Sequence, residues 1–329
     1  AYYRNLTLST DDRYIAVGDS RSEQILSPAL IPGMKNLSLS GSQMYIWKTR
    51  MSDFVKSPLN YVGGKYKVLD KMIPLFPNKI STYVDLFGGS GTVLFNVEAE
   101  HYIYNDVNPF VAEIIDGILS TDYGDIITKI ENIIAEYGLS KTNKEGFLKL
   151  RDYYNSGNKD WITLYTLMIF SYNNQFRFNN KHQYNSSFGL DRSDFNPKIR
   201  NNLHDVKLLN LDYVVINKSF EEFDFSDFDG NDFVYCDPPY FGSIGNYNDG
   251  KRGFEGWTIE HERKLLNLLD CLNEQDVRFA LSNNLKYNNP LLKEWVKKYK
   301  VYNIGSCHTN SSYQKKDKSE DIEVLITNY

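Results

Sequence analysis

The sequence predicts an α/β protein whose parallel sheet is interrupted by a mainly helical insertion. Three observations support this fold. Strand-like and helix-like segments alternate over residues 82–119, a helix-rich stretch covers residues 120–209, and strand signals return from residue 232. Alternating strands and helices are typical of a parallel sheet whose faces are covered by helices.

The first strand is predicted at residues 82–87, a mostly apolar run that ends in the glycine-rich turn 88–91. A helix is expected to follow this turn as far as Glu98. The second strand is predicted at residues 101–104. After it, Asn108 has the side chain of an N-cap and Pro109 suits a first helical position, which together predict a helix from residue 110 to residue 119.

The insertion begins with helices. Ile126, Ile130 and Ile134 are spaced four apart and give one apolar face, and Gly138 can end that helix. Two further helices are predicted around residues 147–151 and 161–170. Residues 173–202 then break the helical pattern, with eight asparagines and five Lys or Arg against two Asp, so this stretch is locally basic.

The sheet is predicted to resume after the insertion. Strands are expected at residues 232–236, 277–281 and 322–326, with one helix starting after Thr258 and another near Pro290. The glycine-rich residues 241–257 between them are expected to form a mobile flap.

Composition excludes several classes of protein. The chain has 329 residues, 41% hydrophobic and 24% charged, which is typical of a folded globular protein and atypical of a disordered one. No apolar run reaches the roughly 18 residues that a membrane span needs. Cys236, Cys271 and Cys307 are odd in number and widely spaced, which favours a reducing compartment over a disulfide framework. The net charge of −5 argues mildly against a nucleic-acid partner, although the basic stretch can still meet a phosphate backbone.

Two glycine-containing segments are candidate ligand sites. Glycines at the turn after the first strand let a ligand approach the backbone closely, and Asp106 after the second strand can accept hydrogen bonds from both hydroxyls of a ribose. This combination favours a nucleoside cofactor. The segment 60–65, Asn-Tyr-Val-Gly-Gly-Lys, can bind an anion through Lys65 and free amides, although such a segment is more often a simple turn.

The sharpest motif is Asp237-Pro238-Pro239-Tyr240, directly after an apolar strand. Consecutive prolines end the strand ladder and stiffen the backbone. They would hold a carboxylate and a free carbonyl beyond the carboxyl edge of the sheet, where α/β proteins bind ligands.

These motifs together resemble a known family. NYVGGK, DLFGGSG, YND and DPPY occur in the order and approximate spacing of Dam-type (α-class) DNA adenine-N6 methyltransferases, and the resemblance runs from about residue 57 to residue 329. It implies a Rossmann-like S-adenosylmethionine-dependent methyltransferase sheet with an inserted target-recognition domain. The implied boundaries are 51–119 and 210–329 for the catalytic domain and 120–209 for target recognition, with residues 1–50 an extension of unknown role.

The resemblance also implies roles for individual residues. The predicted catalytic residues are Asp237, Pro238 and Tyr240: the carboxylate and the Pro238 carbonyl accept hydrogen bonds from the adenine amino group, and Tyr240 stacks on the base. The predicted S-adenosylmethionine-binding residues are Tyr61, Lys65, Asp85, Phe87, Gly88, Gly89, Gly91, Asp106, Phe220 and Asp237. No metal site is predicted, because the histidines and cysteines form no ligand pattern.

The expected partner is double-stranded DNA from which the target adenine is flipped out. The predicted DNA-binding residues are Tyr172, Asn173, Asn174, Gln175, Arg177, Asn179, Lys181 and Arg192. The recognition sequence stays open, because residues 185–192 depart from members that read GATC. The resemblance implies a cytoplasmic enzyme of a bacterium or phage, with a cognate restriction enzyme as a possible counterpart. N4-cytosine methylation, RNA adenine methylation and a catalytically silent DNA-binding subunit are the alternatives.

Overall fold

The computed structural model describes residues 38–40, 43–45, 54–61, 63–175, 177–241, 256–285, 289–305 and 323–329. The chain divides into two units, Ala1–Phe54 and Val55–Tyr329. In the first unit, strand β1 (Ser38–Ser40) pairs antiparallel with β2 (Gln43–Tyr45). The second unit contains all the residues with predicted functions. Most of the predicted flap, residues 242–255, lies outside the described residues.

A seven-stranded sheet organises the second unit and confirms the predicted α/β class. Its strands are β3 (Thr82–Asp85), β4 (His101–Asn105), β5 (Tyr213–Ile216), β6 (Phe233–Cys236), β7 (Arg278–Asn284), β8 (Lys300–Gly305) and β9 (Glu323–Thr327). The strand order across the sheet is β5-β4-β3-β6-β7-β9-β8. The pairs from β5 to β7 are parallel, whereas β9 runs antiparallel to both of its neighbours. This is the arrangement of a Rossmann-like methyltransferase sheet.

The helices of the second unit are α1 (Leu69–Met72), α2 (Pro109–Ser120), α3 (Tyr123–Tyr137), α4 (Lys144–Asn155), α5 (Trp161–Phe170), α6 (Pro197–Lys207), α7 (Ile259–Glu274) and α8 (Pro290–Trp295). The caps predicted at Asn108 and Gly138 are confirmed, and a helix starts after Thr258 as predicted. The Asn108 side chain accepts a hydrogen bond from the amide of Phe110, and Thr258 forms a capping box with His261. Gly138 ends α3 in the left-handed conformation, with φ of 61°.

One predicted element is wrong. The expected helix after Gly91 is replaced by a short 3-10 turn over Leu94–Asn96. The Asn96 side chain explains the difference, because it accepts a hydrogen bond from the Val55 amide and donates to the Val55 carbonyl, both at 2.8 Å. The Asn96 side chain thus holds the backbone of Val55 through two hydrogen bonds, and the next residue, Val97, is extended.

The sheet is covered on one face by α7 and α8. Leu265 and Leu269 of α7 and Trp295 of α8 pack with Phe279 and Ile326 of the sheet in one buried apolar cluster. Burying a side chain of this size contributes about 1.5–3 kcal/mol to folding, so the cluster fixes the strand ends that carry the predicted site. Among the described residues, no helix is both long and apolar enough to cross a membrane.

Candidate active site

The predicted site residues converge at the carboxyl ends of β3 and β6. These two strands are neighbours in the sheet, and the strand order reverses between them, because the chain continues from β3 to β4 on one side and from β6 to β7 on the other. Parallel α/β sheets bind ligands in the crevice at such a reversal. Asp85 is the last residue of β3, and Asp237 directly follows β6.

Asp237 and three other side chains form a closed network. The Lys65 ammonium lies 2.5 Å from Asp237 Oδ2 and 3.1 Å from Glu323 Oε1. The Tyr240 hydroxyl donates to Glu323 Oε1 at 2.7 Å and lies 3.4 Å from Asp237 Oδ1. Lys65 Nζ also lies 5.4 Å from the centre of the Tyr240 ring. The structure therefore brings together two of the predicted catalytic side chains and one predicted cofactor residue, and it adds Glu323.

The electrostatics of Asp237 follow from this network. Burial raises the pKa of its carboxyl to about 6, against the lowering effect of Lys65 and with a further raising effect of Glu323. The Asp237 side chain is 18% exposed, so it is not closed off from solvent. Asp237 is ionised at pH 7.5 and takes up a proton as the pH falls through 6.

The glycine-rich turn is tied to Asp106. The amide of Gly89 donates to one carboxylate oxygen of Asp106 at 2.9 Å, and the amide of Asn108 donates to the other at 2.8 Å. The two amides fix the orientation of the Asp106 carboxylate. Each carboxylate oxygen can accept more than one hydrogen bond, so Asp106 can also accept hydrogen bonds from a ligand. Gly89 and Gly91 have positive φ, of 50° and 69°, which side-chain-bearing residues rarely adopt.

Close packing explains the glycine at position 88. A Cβ at Gly88 would lie 2.2 Å from the ring of Tyr104, which is fully buried and donates to the Gly89 carbonyl at 2.6 Å. Tyr61 reaches the same turn, because a Cβ at Gly89 would lie 3.2 Å from its ring, and its hydroxyl accepts a hydrogen bond from Asn108 Nδ2 at 3.4 Å. The predicted residues Tyr61, Gly88, Gly89 and Asp106 are therefore adjacent.

Asp85 lies beneath this turn in an unusual state. Its side chain is 1% exposed, and neither carboxyl oxygen has a hydrogen-bond partner among the described atoms. Burial, with the charges of Asp237 and Asp106, raises the pKa of Asp85 to about 8, although the nearby Leu94 amide and Tyr83 hydroxyl partly offset this. Asp85 is therefore mostly protonated at pH 7.

Phe87 and Phe220, two predicted cofactor-binding residues, lie together, with ring centres 5.5 Å apart. A third ring, Trp257, contacts both, at 5.7 Å and 5.6 Å. Its indole N–H donates to Glu262 Oε2 at 2.5 Å, and Glu262 is fully buried. Trp257 was not among the predicted site residues. It directly precedes Thr258, the N-cap of α7, and this neighbouring cap is the sequence signal that could have indicated an ordered position.

The predicted DNA-binding residues other than Arg192 lie on a hairpin-like segment, residues 171–188, that packs against helix α2. Isolated bridges join Ser171 to Phe188 and Phe178 to Tyr184. The Phe178 ring stacks on Phe110 of α2, with centres 3.9 Å apart and planes within 4°. The segment is thus attached to the helix that follows β4.

This segment is also joined to the loop that carries Lys65. Asn60 Nδ2 donates to the carbonyl of Asn173 at 2.7 Å, and Asn173 and Asn174 both adopt positive φ. The NYVGGK loop and the predicted recognition segment are therefore contiguous, although 113 residues separate the bonded pair.

The side chains of the segment fall into two groups. Asn174 and Asn179 are engaged in local structure: Asn174 Nδ2 donates to the Ile169 carbonyl, and Asn179 Oδ1 accepts from the amides of residues 181 and 183. The exposed predicted residues are Tyr172, Asn173, Gln175, Arg177, Lys181 and Arg192. Arg192 lies 5.0 Å over the Tyr172 ring, and Arg177 Nε donates to Asn185 Oδ1 at 3.3 Å. The exposed group is the one able to contact a partner directly.

Metal and disulfide chemistry have no support in the part of the chain that is described. Within that part, no three His, Cys, Asp or Glu side chains are arranged to hold a metal ion. Cys236 is buried in β6 and Cys271 is exposed, and both are free thiols. Burial raises the pKa of the Cys236 thiol, which disfavours the thiolate form. Cys307 lies outside the described residues.

Comparison with known proteins agrees with this geometry. The D12 class N6 adenine-specific DNA methyltransferase family matches residues 61–310. The chain is 46% identical over 303 residues to the type II methyltransferase M.FokI of Planomicrobium okeanokoites, covering 90% of this chain and 46% of that protein. It is 44% identical over 305 residues to the modification methylase StsI of Streptococcus sanguinis, covering 91% and 46%.

A more distant relative matches over most of its own length. The chain is 24% identical over 270 residues to the DNA adenine methylase of Escherichia coli K12, covering 78% of this chain and 91% of that protein. By contrast, it spans a little less than half the length of M.FokI and StsI. The matched residues 61–310 include the glycine-rich turn, the insertion and three members of the network, Lys65, Asp237 and Tyr240, and the chain belongs to the D12 class N6 adenine-specific DNA methyltransferase family.

Proposed function

We propose that this chain transfers a methyl group from S-adenosylmethionine to N6 of an adenine flipped out of double-stranded DNA. The observation that supports the proposal most directly is the convergence of Asp237, at the end of β6, with the glycine-rich turn after the neighbouring β3. This places an acceptor for an amino group beside a crevice suited to a nucleoside. Modification methylases among the relatives support the same reaction.

The adenine amino group is a poor nucleophile because its lone pair is delocalised into the ring. In the proposed site, Asp237 Oδ1, which lies 3.4 Å from the Tyr240 hydroxyl, accepts one N6–H. The Pro238 carbonyl accepts the other N6–H. These two acceptors favour a pyramidal nitrogen whose lone pair points to the reacting methyl group. The carboxylate also receives the proton that N6 loses after the new N–C bond forms, so positioning and electrostatics carry the reaction.

The residues around the turn fit S-adenosylmethionine, which supplies a methyl group on a positively charged sulfur when bound. Asp106 is held by two amides at the end of β4, in position to accept ribose hydroxyls. Phe87, Phe220 and Trp257 provide an aromatic surface for an adenine ring. Asp85 ends β3 directly before the turn, and its buried carboxyl oxygens, which have no hydrogen-bond partner among the described atoms, can form hydrogen bonds with a bound ligand.

Residues of the insertion support a DNA partner. Tyr172, Gln175, Arg177 and Arg192 are exposed on a segment bonded to the Lys65 loop, so a duplex that contacts them lies close to the proposed site. Glutamine can bind adenine edges and arginine guanine edges through paired hydrogen bonds, and an aromatic ring can fill the space of an extruded base. The bacterial relatives favour action in a bacterial cytoplasm. Their modification-methylase names favour a cognate restriction enzyme that acts on the same sequence.

The experiment incubates the purified chain with radiolabelled S-adenosylmethionine and genomic DNA from a methylation-deficient host, then quantifies methylated bases by mass spectrometry. We expect N6-methyladenine in the wild type. Asp237→Asn is expected to lower the rate by about a hundredfold or more, the range seen when an electrostatic stabiliser is removed. Cofactor affinity should largely survive, and Asp227→Asn, at an exposed loop position, is the matched control.

Three other results would refute the proposal. Methylated cytosine in place of N6-methyladenine would assign N4-cytosine chemistry. Cofactor binding with no methylation of any DNA would indicate a silent subunit. Near-normal turnover by Asp237→Asn would contradict the mechanism even if the product were correct.

A further inference from the structure

Glu323 occupies a position to which the sequence analysis gave no role. It is the first residue of β9, and its side chain is 1% exposed. Because β9 runs antiparallel to β7, its beginning lies at the same edge of the sheet as the carboxyl end of β7, where Glu323 pairs with Asn284. Because of this strand direction, the buried Glu323 carboxylate lies at the same sheet edge as Asp237.

The contacts of Glu323 link two parts of the proposed site. Its Oε1 accepts a hydrogen bond from the Tyr240 hydroxyl at 2.7 Å and lies 3.1 Å from Lys65 Nζ. Lys65 in turn contacts Asp237 at 2.5 Å. Glu323 is thus joined to Asp237 by Lys65 on one side and by Tyr240 on the other, and the four side chains close a ring.

The four side chains of this ring include two carboxylates and one ammonium. Two carboxylates share one ammonium, so Lys65 divides its interaction between Asp237 and Glu323. A buried lysine with a single carboxylate would bind that carboxylate more strongly, since a buried charge without a full counter-charge is costly. An amino group that binds Asp237 Oδ1 shares the charge of the carboxylate whose Oδ2 contacts Lys65, and Glu323 can hold Lys65 in place when this happens.

We propose that Glu323 is a positioning residue of the methyl-transfer site: it fixes the ring of Tyr240 through the phenol and holds Lys65 as the target amine binds Asp237. This inference rests on the proposed function. If the wild-type protein methylates no DNA, the proposed function fails. If the wild-type protein is active but substitutions of Glu323 leave turnover and its pH dependence unchanged, only this inference fails.

The main test compares Glu323→Gln with Glu323→Asp. Glutamine removes the negative charge but keeps the length, so Lys65 should bind Asp237 more tightly. The turnover number should fall about tenfold, which corresponds to roughly 1.4 kcal/mol of transition-state stabilisation, and cofactor affinity should change by less than about threefold. Aspartate keeps the charge but shortens the side chain, so turnover should fall without the change in pH dependence described next.

The pH–rate profile separates positioning from a merely structural role. The charged and titratable groups around Asp237 are Lys65, Asp85, Tyr235, Cys236, Tyr240 and Glu323. Asp237 must be ionised to accept the amine, so the wild-type rate should fall as the pH drops through about 6. Removing the Glu323 charge should move this acid limb to lower pH by about half a unit or more, because one charge that disfavours ionisation of Asp237 is gone.

Two further variants keep the test decisive. Glu274→Gln, at an exposed position on α7, is the matched control and should leave both the turnover number and the acid limb unchanged. Tyr240→Phe removes the phenol donor, and its effect should be less than additive with that of Glu323→Asp, as expected for residues in contact. This double-mutant cycle tests the positioning role of Glu323 even if Glu323→Gln fails to fold. An unmoved acid limb with turnover within about twofold of wild type, or strictly additive effects in the cycle, would overturn the inference.

Discussion

Asp85 allows a quantitative prediction about stability. Its carboxyl is buried, with no hydrogen-bond partner within the described part of the chain, and its pKa is raised from 3.8 to about 8. In the unfolded chain the group ionises near pH 4, whereas in the folded chain it keeps its proton until about pH 8. The folded state therefore binds more protons over this range, and stability is lost as the pH rises.

The magnitude follows from the size of the shift. A shift of about four units corresponds to about 5 kcal/mol as an upper bound, at 1.36 kcal/mol per unit. Between pH 5.5 and pH 7.5 the folded protein should lose up to about 3 kcal/mol through this group alone. Asp85→Asn has nearly the same shape and no charge, so it should escape this loss.

Equilibrium unfolding in urea at a series of pH values measures the effect. The stability of Asp85→Asn relative to wild type should increase by about 1.4 kcal/mol per pH unit between pH 5.5 and pH 7.5. Asp227→Asn, at an exposed position, controls for the substitution itself. A difference between Asp85→Asn and wild type that stays constant across this range would refute the reasoning, since it would mean that Asp85 does not carry a proton in the folded protein.

Two further predictions concern the insertion and the glycine-rich turn. Arg177→Ala should weaken DNA binding by about 1–3 kcal/mol if the guanidinium contacts a base, with cofactor affinity unchanged in a fluorescence titration. The exposed Lys129→Ala on α3 is the control, and equal DNA affinities for the two variants would count against Arg177 as a recognition residue. Gly88→Ala should destabilise the protein by about 1–3 kcal/mol, because the new methyl group would overlap the buried Tyr104 ring. Thermal unfolding checks this, and an unchanged melting temperature would contradict the packing argument.

The missed elements were those whose local pattern is weak. Strand β8 (Lys300–Gly305) lies at an edge of the sheet with several exposed side chains, and β5 (Tyr213–Ile216) lies at the other edge. Strand β8 has little apolar character, so periodicity does not reveal it, whereas β5 is an apolar run, YVVI, of only four residues. Helix α6 (Pro197–Lys207) was hidden in an asparagine-rich stretch, although Asn196-Pro197 repeats the Asn108-Pro109 start of α2.

The sequence by itself determined the central strands, the helix caps and the order of the motifs, because apolar runs, capping residues and glycine-rich turns act over a few neighbouring positions. It thereby identified Asp237, Asp106 and Lys65 as candidates. Only the tertiary structure decided which side chains meet. Glu323 contacts Tyr240 across 83 residues of chain because β9 runs antiparallel at the edge of the site. Similarly, Asp85 became a neutral acid through burial next to other carboxylates, a property that no local pattern encodes.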